Sequence, residues 1–147
     1  MIKLDSFNKE ILQILKNNAR IPNTELADKI GLSPSACLRR VQELEASGLI
    51  KGYHATFDKE LMGIGFIAFV MVGLNEHTKA SQESFESAIV SANEVKECHN
   101  VTGSCEYMLR VETKDLKAYK LFHTDVLGSL DQVATITTHV VMESVKG

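Results

Sequence analysis

The sequence of 147 residues predicts an α+β protein, helical in its first fifty residues and mixed in strands and helices thereafter. Two observations support this class. Apolar residues in the N-terminal part recur at the three-to-four spacing of a buried helix face. Later runs such as 64–74 are β-branched and aromatic, which is typical of strands. The length fits one typical domain or two small ones.

The composition is that of a folded chain, with 44% hydrophobic and 24% charged residues. The longest apolar run, 64–74, is about half of what a membrane span needs, and no signal-peptide core is present, so we expect a cytoplasmic protein without a membrane partner. Three cysteines without a CxxC pair fit a reducing compartment. Residues 1–60 carry a formal charge of +1 and residues 61–147 carry −4, so charge alone does not decide whether nucleic acid is a partner.

Two helices are predicted before residue 32. Asp5 can cap the first, which ends near Asn18 and has one apolar face made of Phe7, Ile11, Ile14 and Leu15. After Pro22, Asn23 or Thr24 can cap a short second helix. Its inward residues are Leu26, Ala27 and Ile30, and Gly31 stands where a left-handed residue ends a helix.

A third helix begins almost at once at Ser33-Pro34, a hydroxyl cap followed by proline at the first helical position. Its predicted inward stripe is Leu38, Val41 and Leu44, and Gly48 closes it. Two helices joined by a tight glycine turn after a supporting helix make a helix-turn-helix.

The outward face of the third helix suits DNA. Arginine can bond guanine or phosphate, and the small side chains of Ser35 and Ala36 let the helix N-terminus approach the groove. The alternative is a polar surface that only meets water. We predict that double-stranded DNA is contacted by Ser33, Ser35, Ala36, Arg39, Arg40, Glu43 and Lys51.

These segments also carry a family resemblance. The chain resembles the Lrp/AsnC, or feast/famine, regulators in Glu25-Leu26-Ala27, Gly31-Leu32-Ser33, Arg39-Arg40-Val41, Leu44-Glu45 and Gly48-Leu49-Ile50-Lys51-Gly52-Tyr53. The resemblance continues through the C-terminal half. It implies a winged-type helix-turn-helix joined to an amino-acid-binding domain, assembled as dimers and often as octamers.

Residues 50–57 alternate apolar with polar side chains, which predicts an extended strand leading out of the helical part. The short polar segment 58–63 ends in glycine and marks a boundary. We therefore divide the chain into a helix-turn-helix domain at 1–52, a linker strand at 53–63 and a sensing and oligomerisation domain at 64–147. The resemblance implies that the linker strand pairs across a dimer.

The remainder predicts the order β-α-β-β-α-β, the ferredoxin-like arrangement. Strands are expected at 64–74, 95–101, 107–111 and 133–145. Ser81 can cap the first helix, and Asp115 can cap the second, which ends near Gly128.

The first strand is apolar on both faces, with Ile67, Phe69 and Met71 on one and Phe66, Ala68, Val70 and Val72 on the other. When helices cover only one side of a sheet, apolar and polar side chains should alternate along each strand. A second subunit packed on the side of the sheet that the helices leave uncovered would explain the pattern. The alternative is a central strand that is partly exposed.

Residues 101–107 match the family's ligand loop and are Val101, Thr102, Gly103, Ser104, Cys105, Glu106 and Tyr107. Backbone N–H groups at a glycine turn can hold a carboxylate, and Glu106 can pair with an ammonium. Without the resemblance the segment is an ordinary β-turn. The family usually carries Asp at the position of Glu106 and an aromatic residue near that of Cys105, so the smaller Cys105 favours leucine or methionine as the effector.

Other chemistry is not expected. Cys98 and His99 are strand neighbours that point to opposite faces, so together with Cys105 they predict no metal site. Cys37 is interpreted as a buried packing residue rather than a redox switch. No catalytic motif is present, so we expect no enzyme and no cofactor. The predicted function is a sequence-specific DNA-binding regulator that responds to a small amino acid, and the alternative is an architectural DNA-binding protein without an effector.

Overall fold

The structure is a computed structural model that describes residues 4–145. The chain divides into two compact units between Thr56 and Phe57. This division falls inside the predicted linker, and each unit has its own apolar core. No helix among residues 4–145 is long and apolar enough to cross a membrane.

The N-terminal unit consists of α1 (Ser6–Asn17), α2 (Asn23–Ile30) and α3 (Pro34–Ala46). The predicted caps are confirmed at α1 and α3, where side-chain oxygens of Asp5 and Ser33 accept backbone N–H groups. Gly31 ends α2 with φ +70°, in the left-handed region that favours glycine. Neither Asn23 nor Thr24 caps α2, because both lie inside the helix and Pro22 occupies the cap position. The Asn23 Nδ2 instead donates to the Pro34 carbonyl at 2.8 Å and joins α2 to the start of α3.

The core of this unit contains Ile11, Leu26, Ala27, Ile30, Cys37 and Leu44. The prediction that Leu38 faces inward is wrong, since Leu38 is 45% exposed and Cys37 is fully buried instead. The stripe 37, 41, 44 repeats at helical spacing as well as 38, 41, 44 does, and a small side chain at position 37 allows close packing of α3. Burial raises the pKa of the Cys37 thiol, which agrees with a packing role.

The predicted linker strand does not form within this chain. Residues 51–58 carry no regular secondary structure, and residues 4–56 contain helices and no strand. A β-strand requires a neighbouring strand to pair with, and no strand of the described residues pairs with this segment. Pairing with a second copy stays a prediction.

The C-terminal unit has the predicted element order. It contains β1 (Phe66–Leu74), α4 (Lys79–Val90), β2 (Val95–Asn100), β3 (Tyr107–Thr113), α5 (Leu116–Leu121) and β4 (Val133–Val140). The helix α5 continues through a π turn at Phe122–Val126 into a short 3-10 turn at Leu127–Ser129. Thr78 caps α4 in place of Ser81, whose own N–H is the group that Thr78 accepts. The last strand ends at Val140, short of the predicted 145.

The four strands form one antiparallel sheet in the order β2-β3-β1-β4. Ala68, Val70 and Val72 of the central strand β1 are buried in the core with Phe85, Tyr107 and Leu109. The opposite face, here called the open face, includes Phe69 between Arg110 and His139, and Met71 between Met108 and Thr137. Phe69 is 40% exposed there.

Candidate functional site

The exposed face of α3 differs in part from the predicted one. Ser35, Leu38, Arg39 and Gln42 are exposed and follow one another at helical spacing. Arg39 Nε lies 3.8 Å from Glu43 Oε1, and both side chains are open to solvent. The sequence alone does not identify Leu38 and Gln42 as exposed, because the stripe 38, 41, 44 fits an inward face as well as the stripe 37, 41, 44 does. Gln42 therefore lies on the exposed face of α3.

Two of the residues predicted to contact DNA, Ser33 and Ala36, help to form the start of α3. Ser33 Oγ accepts the Ala36 N–H at 3.3 Å, so Ser33 begins the helix, and Ala36 is half-buried. Lys51 is exposed beyond the end of α3.

The prediction that Arg40 projects outward is wrong. Its Nη1 lies 2.9 Å from Asp5 Oδ2 and donates to Asn8 Oδ1 at 3.0 Å. The guanidinium carbon is 5.3 Å from the centroid of the Phe7 ring, within reach of a cation–π contact. The Arg40 side chain is only 24% exposed. Arg40 therefore binds α3 to the start of α1.

The predicted ligand loop, residues 101–107, is divided between surface and core. Thr102, Gly103 and Ser104 are exposed, whereas Cys105 and Tyr107 are buried. The Tyr107 ring lies tilted against Phe85 with the ring centroids 4.6 Å apart, and its hydroxyl donates to Glu86 Oε1 at 2.7 Å. Burial, together with the Glu86 carboxylate, raises the pKa of Tyr107 to about 12. The structure thus brings the backbone of 102–104 to the surface and keeps the Cys105 and Tyr107 side chains inside.

The carboxylate of Glu106 lies at the end of the sheet and is already engaged. Its Oε2 accepts the Leu74 N–H at 2.8 Å, and its Oε1 lies 3.1 Å from His77 Nδ1. Only glycine fits at position 73 beside this carboxylate. A Cβ there would collide with Thr135 Oγ1 and would lie 3.5 Å from Glu106 Oε2. No pattern in the sequence indicates that His77 lies beside Glu106. The pairing of Val72 with Tyr107 brings the residues after β1 close to Glu106, and that register is a tertiary feature.

No cluster of three or more potential metal-ligating side chains occurs among the described residues. Cys98 is exposed on the edge strand β2, and Cys105 is buried.

A helix-turn-helix with an exposed recognition face, joined to an α+β unit with a glycine loop, defines a DNA-binding regulator with a separate sensing domain. The family model for a winged helix-turn-helix DNA-binding domain matches residues 4–51, and the model for the Lrp/AsnC ligand binding domain matches residues 67–147. The chain belongs to the Lrp/AsnC family of DNA-binding transcriptional regulators with an amino-acid-binding domain.

Similar proteins cover nearly the whole chain. The leucine-responsive regulatory protein of Klebsiella pneumoniae is 38% identical over 143 residues, which is 97% of this chain and 87% of that protein. The leucine-responsive regulatory protein of Escherichia coli K12 is 37% identical over the same shares. A transcriptional regulator from Neisseria meningitidis, solved in complex with L-methionine, has a TM-score of 0.94 and 33% identity, covering 99% of this chain and 94% of that one. These relatives are transcriptional regulators and not enzymes.

Proposed function

We propose that the protein is a sequence-specific DNA-binding regulator that acts in the cytoplasm and whose DNA binding or assembly responds to leucine or methionine. The main support for this effector is the L-methionine complex of the Neisseria regulator, which is 33% identical and matches 99% of this chain. The leucine-responsive proteins among the relatives support the same class of effector. A free amino acid is then the small-molecule partner, with no cofactor.

The proposed binding place is the loop 101–107. The exposed backbone at Thr102, Gly103 and Ser104 can receive the ligand carboxylate. The ligand ammonium would take the place of His77 at Glu106 Oε1, while the Leu74 N–H keeps Oε2. Displacing His77 costs little because its side chain is 75% exposed and free to turn into solvent.

We expect Glu106→Gln to weaken leucine or methionine binding by about 1–3 kcal/mol, since the ammonium loses its ionic partner while the shape is kept. His77→Ala should instead strengthen binding a few-fold, because it removes the group that competes for Oε1. Isothermal calorimetry with leucine, methionine, asparagine and lysine measures both effects.

Glu83→Gln is a matched control, because Glu83 is an exposed carboxylate on α4 that pairs with Lys79. Equal leucine affinities in wild type and Glu106→Gln would move the site away from Glu106. Tighter binding of lysine or asparagine would refute the preference for an apolar side chain.

The second partner we propose is another copy of the chain, laid on the open face. Ile67, Phe69 and Met71 put apolar surface on that face of β1, and a dimer would also supply two recognition helices for a palindromic site. A dimer is the smallest assembly consistent with this proposal, and an octamer is a further stage of it.

Light scattering at micromolar concentration should therefore give at least the dimer mass. Phe69→Lys should shift the mass toward the monomer, because a charge would be buried at the centre of the interface. A well-folded wild-type monomer under these conditions would contradict the argument from the open face.

An architectural DNA-binding protein without an effector is the second candidate. The observation that favours it is that both oxygens of Glu106 already have partners within the chain. Such a protein would show no change of melting temperature with any of the twenty amino acids, whereas a ligand at a hundred times its Kd stabilises by about 2.7 kcal/mol.

A further inference from the structure

The recognition helix, α3, carries one large apolar side chain that is exposed, and that side chain is Leu38. It is 45% exposed, and it is not among the residues packed on the core of the N-terminal unit. A single exposed leucine is common on protein surfaces, so exposure alone decides nothing. The position of Leu38 on this particular helix is what gives it meaning.

Leu38 lies three residues after Ser35 and four before Gln42, so these three side chains share one face of α3. Arg39, the next residue, is also exposed and paired with Glu43. Arg40 is turned toward α1 and leaves this face. The face is therefore small at its N-terminal end, apolar at its centre and polar beyond.

Base edges in the major groove offer mostly hydrogen-bonding groups, and the apolar exception is the C5-methyl group of thymine. Glutamine can bond adenine through its N6 and N7 groups. A leucine one helical turn from a glutamine thus matches a short sequence that contains thymine and adenine. Ser35, near the helix N-terminus, is small enough to let α3 come close to the bases.

We propose that Leu38 is a specificity-determining residue that contacts a thymine methyl group in the DNA site, with Gln42 bonding a neighbouring adenine. The inference rests on the proposed function as a sequence-specific DNA binder. It deepens that function by naming the base chemistry that the site should contain.

The test begins with selection of duplexes from a random library by the full-length protein. Each thymine of the selected site is then replaced in turn by deoxyuridine, which lacks only the methyl group. Binding is measured by fluorescence anisotropy at one fixed salt concentration. We expect one symmetry-related thymine pair at which wild type loses about fourfold in affinity for each methyl group removed.

The Leu38→Ala variant should bind the thymine and deoxyuridine duplexes equally at that position. Leu38→Met should keep most of the preference, because methionine still reaches the methyl group with apolar atoms. Arg39→Ala is the matched control and should lower affinity for both duplexes while keeping the ratio between them. Melting curves of each variant establish that the unit is folded.

Two results would overturn the inference. A deoxyuridine penalty of the same size in wild type and Leu38→Ala would assign the methyl contact to another residue, and the absence of any penalty would leave Leu38 without a thymine partner. Either result leaves the proposed function standing, because a site was selected. Failure to enrich any sequence would contradict sequence-specific binding itself, and the inference with it.

Discussion

Replacing Arg40 by alanine is expected to lower the free energy of unfolding of the N-terminal unit by about 2–3 kcal/mol. The guanidinium holds two elements together, since it contacts the Asp5 carboxylate, the Asn8 amide oxygen and the Phe7 ring at the start of α1. Charge-assisted hydrogen bonds of a partly buried group contribute more than exposed ion pairs do. DNA binding should then fail only as the unit loses its structure.

Arg39→Ala is the comparison, because the two arginines are adjacent and only Arg40 is turned toward α1. It should leave stability within about 0.5 kcal/mol while weakening DNA binding by about 1–3 kcal/mol. Urea unfolding and the dependence of DNA affinity on salt separate the two roles. If Arg40→Ala keeps full stability but reduces the salt slope by about one, Arg40 contacts phosphate and the structural assignment is wrong.

Glu112 is the second residue whose replacement should have a large effect. Its side chain is 1% exposed, yet Lys59 Nζ lies 3.0 Å and Arg110 Nη1 lies 2.6 Å from its oxygens. Burial alone would raise the pKa of this carboxyl, but the hydrogen bond from Lys59 and the charge of Arg110 outweigh burial and hold the pKa below its ordinary value.

Because the folded-state pKa of Glu112 is lower than the unfolded-state value, its contribution to stability is present above the unfolded-state pKa of about 4.5. The contribution is lost as the pH falls from there through the folded-state pKa. We expect Glu112→Gln to destabilise the C-terminal unit by about 2–3 kcal/mol at neutral pH. The free energy of unfolding of this variant should also decrease less than that of wild type as the pH falls.

Urea unfolding between pH 7 and pH 3 measures this difference. Glu97→Gln serves as the control, because Glu97 is half-exposed and lies 3.9 Å from the same arginine. If the free energy of unfolding of wild type and of Glu112→Gln changes equally with pH across this range, the pKa of Glu112 is not lowered by Lys59 and Arg110.

The parts of the fold that follow local rules could be predicted from the sequence. The caps at Asp5, Ser33 and Asp115 and the left-handed Gly31 each depend on a few neighbouring residues. The order of strands and helices in the C-terminal unit is confirmed, whereas the predicted linker strand is not formed within the described residues.

The parts that failed depend on contacts between distant residues. Arg40 and Asp5 are separated by 35 positions, so no local pattern pairs them. Cys37 and Leu38 both fit a helical stripe with Val41 and Leu44, and only the packed core distinguishes them. His77 reaches Glu106 through the register of two strands, which a single sequence does not reveal.

Glu106 also restricts how this protein can evolve. Its backbone N–H donates to the Val72 carbonyl, and its side chain accepts the Leu74 N–H, close to where the pairing of β1 with β4 shifts register. Substitutions at position 106 that cannot accept the Leu74 N–H are therefore removed because they impair folding, before selection can act on any change in recognition. Genetic drift has more freedom at the neighbouring Thr102 and Ser104, whose exposed side chains can change without disturbing the end of the central strand.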